Sequence, residues 1–166
     1  MAVLPVVRLP DPVLSHPARA VGRIDDEARR LAADLVDTMR ASPACVGLAA
    51  PQIGVPLRAF VVDVTGHRKT RSCHGTVVMI DPELVSYEGA ELAREGCMSV
   101  PDLTGDVARP TRVVVRGLAP DGSEVVVDAD AFEARAFLHE LDHLDGRLFL
   151  DRVPGPAAVF QRRVYR

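Results

Sequence analysis

Residues 138–146 read LHELDHLDG and place His139 and His143 four positions apart, shortly before a glycine. Side chains four positions apart share one face of an α-helix, so both imidazoles can reach one metal ion while Glu140 projects beside them. A bound metal lowers the pKa of water, and a neighbouring carboxylate can accept the proton. The stretch therefore predicts a hydrolytic metal site on a helix. The alternative is a pair of half-buried histidines that only form hydrogen bonds.

The helix that carries this stretch is predicted to run from about Asp130 to Leu144, with Gly146 placed to stop it. A catalytic metal held by two histidines usually needs a third protein ligand. The 23 residues after His143 contain neither His nor Glu, and their acidic residues are Asp145 and Asp151. Asp145 lies only two positions on and would face away from the metal. The third ligand is therefore expected upstream.

Cys97 is the upstream candidate, within the run EGCMS at residues 95–99. A thiolate is a good ligand for Zn²⁺ or Fe²⁺, and Gly96 would let the backbone approach closely. The alternative is a small buried apolar cysteine. A further run, GLAAPQIG at residues 47–54, would by itself indicate a tight packing turn with Gln52 at the surface.

The remaining patterns predict an α+β fold of mostly antiparallel sheets packed around the C-terminal helix, plus an N-terminal helix. Asp25 can cap that first helix, whose apolar residues recur at helical spacing until Ser42-Pro43. A hairpin turn is expected at Pro120-Asp121-Gly122. The predicted strands are Arg58–Val64, Val77–Ile80, Glu83–Leu92, Thr111–Gly117 and Glu124–Asp128. A single domain is expected over 1–166, with an extended arm at 1–23 and a short C-terminal tail at 154–166.

Composition narrows the class of protein. A net charge of −3 and a pI near 5.9 give no reason to expect specific DNA binding. No apolar run approaches the roughly 20 residues that cross a bilayer, and no targeting segment is visible, so no membrane partner is expected. The three cysteines are an odd number, which favours thiols and a reducing cytoplasm over a disulfide framework.

Three motifs in order, CVGLAAPQ, EGCMS and LHELDHLDG, resemble the GxGLAAxQ, EGCLS and QHExDHLxG motifs of peptide deformylases. The similarity runs from Arg8 to about Leu150. It implies a metal-dependent hydrolase that removes the N-formyl group from the first methionine of newly made polypeptides and releases formate. Cys45, Met98 and Leu138 depart from the family pattern, in place of Gly, Leu and Gln. The implied partners are formyl-methionyl nascent peptides and the ribosome near its exit tunnel. Contact with the ribosome would be made by the basic C-terminal tail, which contains Arg162, Arg163 and Arg166. The alternative is that this tail is only solvated.

The resemblance also implies roles for single residues. Cys97, His139 and His143 would hold one divalent metal, Fe²⁺ in the cell, with Zn²⁺, Ni²⁺ or Co²⁺ as substitutes. Glu140 would activate metal-bound water, and the Gln52 amide and the backbone N–H of Met98 would stabilise the oxyanion.

Helical spacing puts three further side chains on the face of His139. Together with the family resemblance, this spacing predicts a pocket for the methionine side chain. The pocket is expected to be lined by Val46, Gly47, Ala93, Phe132, Ala136 and the stem of Arg135. The alternative is that these residues only pack in the core. Arg109 is expected to pair with Glu95 or Asp142, rather than to lie at the surface. His16, His67 and His74 are expected to face solvent, and Cys73 beside His74 is not expected to form a second metal site.

Three rival functions follow from the same residues. A metallopeptidase could use the same helix to cut internal peptide bonds, but the Cys ligand and the Gln52 loop disfavour it. A non-catalytic, partner-binding homologue could keep the metal for stability, which the intact Glu140 and Gln52 disfavour. A deformylase acting on a specialised metabolite or a narrow set of peptides stays open.

Overall fold

The computed structural model describes residues 2–162, which form two antiparallel sheets and two long helices. The helices are α1 (Asp26–Ala41) and α2 (Ala131–Leu144). The strands are β1 (Gly47–Ala49), β2 (Ala59–Val62), β3 (Val77–Glu88), β4 (Glu91–Cys97), β5 (Val100–Arg109), β6 (Arg112–Leu118), β7 (Glu124–Asp130) and β8 (Val159–Gln161). One sheet has the order β1-β2-β3-β6-β7 and the other β4-β5-β8. The predicted α+β class is confirmed. None of the described helices is long and apolar enough to span a membrane.

Helix α1 begins and ends where the sequence predicts. The Asp25 side chain accepts a hydrogen bond from the Ala28 backbone N–H at 2.9 Å, and Ser42 is the C-cap residue. Leu35 on the apolar stripe is fully buried against β1 and β2. The stripe therefore attaches α1 to the outer face of the larger sheet.

Helix α2 packs on the other face of that sheet. It follows Asp130, and Gly146 comes just after its end with φ of 77°, a backbone region that favours glycine. Phe137 lies edge-to-face against Phe60 of β2, with ring centroids 5.7 Å apart, inside the main apolar cluster. This packing holds the part of α2 after Phe137, which carries His139, Glu140 and His143, between the larger sheet and the smaller one.

The predicted strand Glu83–Leu92 is wrong, because the chain changes sheets within it. Strand β3 ends at Glu88, and Gly89 has φ of 77°. A Cβ at Gly89 would lie 2.0 Å from the hydroxyl of Thr111, so only glycine fits this crossing. Strand β5 had not been predicted, because Pro101 and Gly105 interrupt its apolar pattern.

Both ends of the described chain pack on the core more closely than predicted. The arm holds a short 3₁₀ helix, Pro12–Ser15, and is therefore not extended throughout. The backbone N–H of Val7 donates to Gln52, and that of Leu9 donates to Ser99. The tail contains β8, which pairs with β5. Arg163 and Arg166 lie outside the described residues.

Candidate active site

Cys97, His139 and His143 come together where the last residue of β4 meets the C-terminal half of α2. Their ligand atoms all lie within 4.8 Å of one another. The sulfur of Cys97 is 3.4 Å from Nε2 of His143. Within residues 2–162 this is the only group of three such side chains with metal-ligand geometry.

The chemistry of the three donors fits a divalent metal. Burial alone would raise the pKa of the Cys97 thiol, but His143 and His139 hold it well below its usual value. A thiolate with two imidazoles is a typical donor set for Zn²⁺ or Fe²⁺. Oε2 of Glu140 and Nδ1 of His143 are buried without a hydrogen-bond partner among the described residues. A buried carboxylate oxygen without a partner at this point is what a site for a metal and its water requires.

Glu95 orients one of these histidines. Its Oε1 is 2.9 Å from Nδ1 of His139, which leaves Nε2 of that ring for a metal. Glu95 also accepts from Arg109 at 2.5 and 2.9 Å and from Arg135 at 2.7 Å. Burial raises the pKa of Glu95, but the hydrogen bonds from His139 and Arg109 outweigh it and hold that pKa well below its usual value.

Arg109 joins this carboxylate to a second one on α2. Its Nη1 donates to Asp142 at 2.8 Å, so Arg109 pairs with both of the carboxylates that the sequence offered as alternatives. Asp142 also accepts from Arg152 at 2.5 and 2.8 Å. The buried charges behind the metal ligands are thus compensated from two sides.

Gln52 is buried rather than at the surface, so the interpretation of its segment as a simple packing turn is wrong. It lies on a short 3₁₀ helix, Ala50–Ile53, and is 2% exposed. Its Oε1 accepts from the Ala49 N–H at 3.0 Å, which fixes the amide. Nε2 then lies 3.5 Å from the sulfur of Cys97 and 3.2 Å from the hydroxyl of Ser99. The amide therefore directs its N–H groups at the ligand cluster.

Glu140 is held in a tight place beside β1. It is 3% exposed, and burial raises its pKa to about 7, against the opposing effect of His139 and His143. A Cβ added to Gly47 would lie 2.6 Å from Oε1 of Glu140. The Glu140 carboxylate therefore fits beside β1 because Gly47 has no side chain.

We expect Gly47→Ala to lower kcat by about 100-fold while metal binding persists, because a carboxylate displaced by about 1 Å loses its alignment. Gly155→Ala is the matched control, since a Cβ there meets nothing within 4 Å. Steady-state kinetics with metal analysis of both variants checks this. Equal kcat in the two variants would contradict the tight contact at Glu140.

A cavity of about 430 Å³ opens over the cluster. Gln52, Cys97, Met98, His139 and Glu140 all line it. Of the predicted pocket residues it is lined by Val46, Gly47, Phe132, Arg135 and Ala136. Ala93 does not line it; it lies further along β4 from Cys97 and lines a neighbouring depression instead.

His67 was missed as a wall of this cavity. It was expected to face solvent, but its ring stacks on Phe132 with centroids 4.1 Å apart and planes at 16°. His74 is exposed, as expected, although its Nδ1 also lies 2.6 Å from the buried carboxylate of Glu133. Neither contact leaves a signal in the sequence, because the loop that carries both histidines has no periodic pattern and closes on α2 only in three dimensions.

Cys45 also lines the cavity, and the pKa of its thiol is raised. Burial is the main reason that its pKa rises to about 12, and its sulfur donates to the Gly47 carbonyl at 3.1 Å. We expect iodoacetamide at neutral pH to label the exposed Cys73 well before Cys45, since only the thiolate reacts. Peptide mass spectrometry over time checks this order. Labelling of Cys45 first would contradict the raised pKa of its half-buried thiol.

The fold and the site together define an enzyme of the metal-dependent hydrolase class, with a Cys/His/His cluster and a buried carboxylate in one cavity. The family model for polypeptide deformylase matches residues 3–158, and the chain belongs to that family. It is 48% identical to the peptide deformylase of Desulforudis audaxviator, over 98% of this chain and 99% of that one.

Solved structures of the family agree with this fold. The peptide deformylase of Ehrlichia chaffeensis in complex with actinonin has a TM-score of 0.86 at 35% identity, covering 92% of this chain and 90% of that one. A Met-Ala-Ser-bound class I type b peptide deformylase from Acinetobacter baumannii has a TM-score of 0.83 at 33% identity, covering 92% and 99%. The resemblance stated from the three motifs is thus confirmed.

Proposed function

We propose that the chain removes the N-formyl group from the first methionine of newly made polypeptides, in the cytoplasm, and releases formate. The observation that carries this proposal is the convergence of Glu140 and the Gln52 amide on the Cys97 cluster, inside one cavity. Membership in the deformylase family supports the substrate class. Contact with the ribosome stays a prediction, since Arg163 and Arg166 lie outside the described residues.

Cys97, His139 and His143 would hold the metal, for which Fe²⁺ is proposed and Zn²⁺, Ni²⁺ or Co²⁺ can substitute. When bound, a divalent ion there supplies Lewis-acid chemistry, polarising a carbonyl and making water acidic at neutral pH. The role of Glu95 is to keep the ring of His139 in one orientation and tautomer through Nδ1.

Glu140 moves the proton in this proposal. Its carboxylate accepts a proton from the water whose oxygen forms a bond to the formyl carbon. It then donates that proton to the nitrogen of methionine as the carbon–nitrogen bond breaks, so that formate and a free amine leave. Burial raises the pKa of this carboxyl, which makes the carboxylate a better proton acceptor than an exposed one.

Gln52 and Met98 would stabilise the negative charge on the formyl oxygen during the reaction. The Gln52 amide is fixed through its own oxygen, so its N–H groups need little rearrangement. The backbone N–H of Met98 is the second proposed donor, beside Cys97 at the end of β4. Each such donor is worth about 2.7–4 kcal/mol of the barrier.

The methionine side chain would enter the part of the cavity between Val46, Phe132 and Ala136. The Acinetobacter relative was crystallised with Met-Ala-Ser, which has the form of a deformylated product and supports this assignment. Ala136→Trp should fill the space, so we expect kcat/KM for formyl-methionyl peptides to fall by at least about tenfold. Unchanged kcat/KM in that variant would remove Ala136 from the pocket.

The function is tested with formyl-Met-Ala-Ser and unformylated Met-Ala-Ser as parallel substrates. Formate and intact Met-Ala-Ser from the first peptide, with no reaction of the second, are expected. Cleavage inside either peptide would identify a metallopeptidase. No product from metal-replete protein would indicate a binding role or a specialised substrate.

A further inference from the structure

The mouth of the cavity is basic although the chain as a whole carries a net charge of −3. The basic side chains that line the cavity, apart from the buried Arg135, are Arg8, Arg68, Lys69, Arg94 and Arg162, here termed the basic rim. Within the described residues the acidic side chains that line it are Glu95 and Glu140, and both are buried. Glu95 is already saturated by Arg109, Arg135 and His139. The charge presented to an entering molecule is therefore positive.

Arg68 and Lys69 belong to a loop that is anchored on α2. They follow His67, whose ring stacks on Phe132 of α2. Thr70 next to them donates its hydroxyl hydrogen to the Val64 carbonyl at 2.7 Å. Both basic side chains are exposed. Partial burial of His67 lowers the pKa of its ring, and the positive charges of Lys69 and Arg68 lower that pKa further. Arg68 and Lys69 therefore lie close enough to the cavity wall for their charges to act on His67.

A second anchor holds the same loop at its far end. Glu133, in the first turn of α2, is 1% exposed and accepts from the backbone N–H of His74 at 2.8 Å. Its other oxygen is 2.6 Å from Nδ1 of His74. The ring of His67 is stacked at one end of the loop and His74 is hydrogen-bonded at the other, so Arg68 and Lys69 between them are held at the cavity.

The opposite side of the mouth comes from the smaller sheet. Arg94 of β4 lies over the ring of Phe160 of β8, 3.8 Å from its centroid, and pairs with Asp106 at 2.8 Å. A Cβ at Gly96 would lie 2.3 Å from a guanidinium nitrogen of Arg162. Arg162, which follows β8, thus lies beside the end of β4 that carries Cys97.

We propose that the basic rim selects substrates with acidic side chains in the residues that follow the formyl-methionine. The inference rests on the proposed function. With the formyl group at Cys97 and Glu140 and methionine in its pocket, an extended peptide advances about 3.3 Å per residue, so its next residues lie at the mouth. Complementary charges at a rim raise the association rate and suppress partners of the same sign.

The test compares three C-terminally amidated peptides, formyl-Met-Ala-Glu-Glu, formyl-Met-Ala-Gln-Gln and formyl-Met-Ala-Lys-Lys, so that only side chains differ in charge. At low ionic strength we expect kcat/KM for the acidic peptide to exceed that for the basic one by about tenfold, and the ratio to shrink as salt is added. A free-acid form of the Gln peptide measures the separate effect of a terminal carboxylate.

Two double variants locate the effect. Arg68→Gln/Lys69→Gln should lower the acidic-to-basic ratio clearly toward one. Arg23→Gln/Arg30→Gln removes the same charge from exposed positions away from the cavity and should keep the ratio. A ratio near one in the wild type, or a ratio unchanged in the rim variant, overturns the proposal.

Failure of the function itself has a different signature. If no peptide releases formate, the proposed reaction is wrong. Charge selection by the basic rim is then tested by measuring peptide binding alone. Fluorescence anisotropy of the labelled peptides with the metal-loaded Glu140→Gln variant supplies that readout. Equal Kd for the acidic and basic peptides would overturn the charge selection whatever the reaction is.

Discussion

Glu140→Gln is expected to lower kcat by about 10² to 10⁴-fold with its metal content unchanged. Glutamine keeps the size of the side chain but cannot accept the proton of the attacking water or return it to the leaving amine. Because Oε2 of Glu140 has no hydrogen-bond partner among the described residues, the substitution breaks no contact seen there. Formate release and metal analysis of the same preparation measure the two quantities.

Glu27→Gln serves as the matched control for that variant. Glu27 lies exposed in the first turn of α1, away from the cavity. We expect wild-type kcat in this control. A Glu140→Gln enzyme that retained metal and turned over at the wild-type rate would remove Glu140 from the chemistry.

Arg109→Ala is expected to lower the free energy of unfolding of the metal-loaded protein by about 3–5 kcal/mol. Arg109 is 3% exposed and bridges the buried carboxylates of Glu95 and Asp142. Without the guanidinium, these two buried negative charges lose a shared partner. Urea unfolding followed by circular dichroism gives the change.

Arg112→Ala is the control for this loss. Arg112 also bridges two carboxylates, Glu88 and Asp128, but all three side chains are about half exposed or more. Exposed ion pairs contribute about 0–1 kcal/mol, so a small effect is expected. Equal losses in Arg109→Ala and Arg112→Ala would contradict a special role for the buried network.

The helices were predictable because their signals are local. Helix α2 is predicted by its periodic apolar residues and by the glycine at position 146. Helix α1 is predicted by its own periodic apolar residues and by its N-cap residue Asp25. The ligands on α2 follow from their spacing alone. Cys97 was found by resemblance and by its polar neighbours, since a single cysteine has no period.

The features that escaped prediction depend on contacts between distant segments. The change of sheet at Gly89 is imposed by Thr111, which lies across the crossing. The burial of Gln52 depends on Ser99 and Cys97, more than 40 positions away. His67 becomes a cavity wall only because Phe132 of α2 lies beneath it. Local sequence propensities do not determine contacts between residues so far apart in the chain, so these contacts could not be predicted from the sequence.

The most direct test of the central claim is a titration of metal-free protein with Fe²⁺ under anaerobic conditions, with formate release from formyl-Met-Ala-Ser as the readout. The account predicts no activity without metal, a rise that saturates at one ion per chain, and no rise in Cys97→Ala. Formate release by the metal-free protein, or full activity of metal-treated Cys97→Ala, would contradict it.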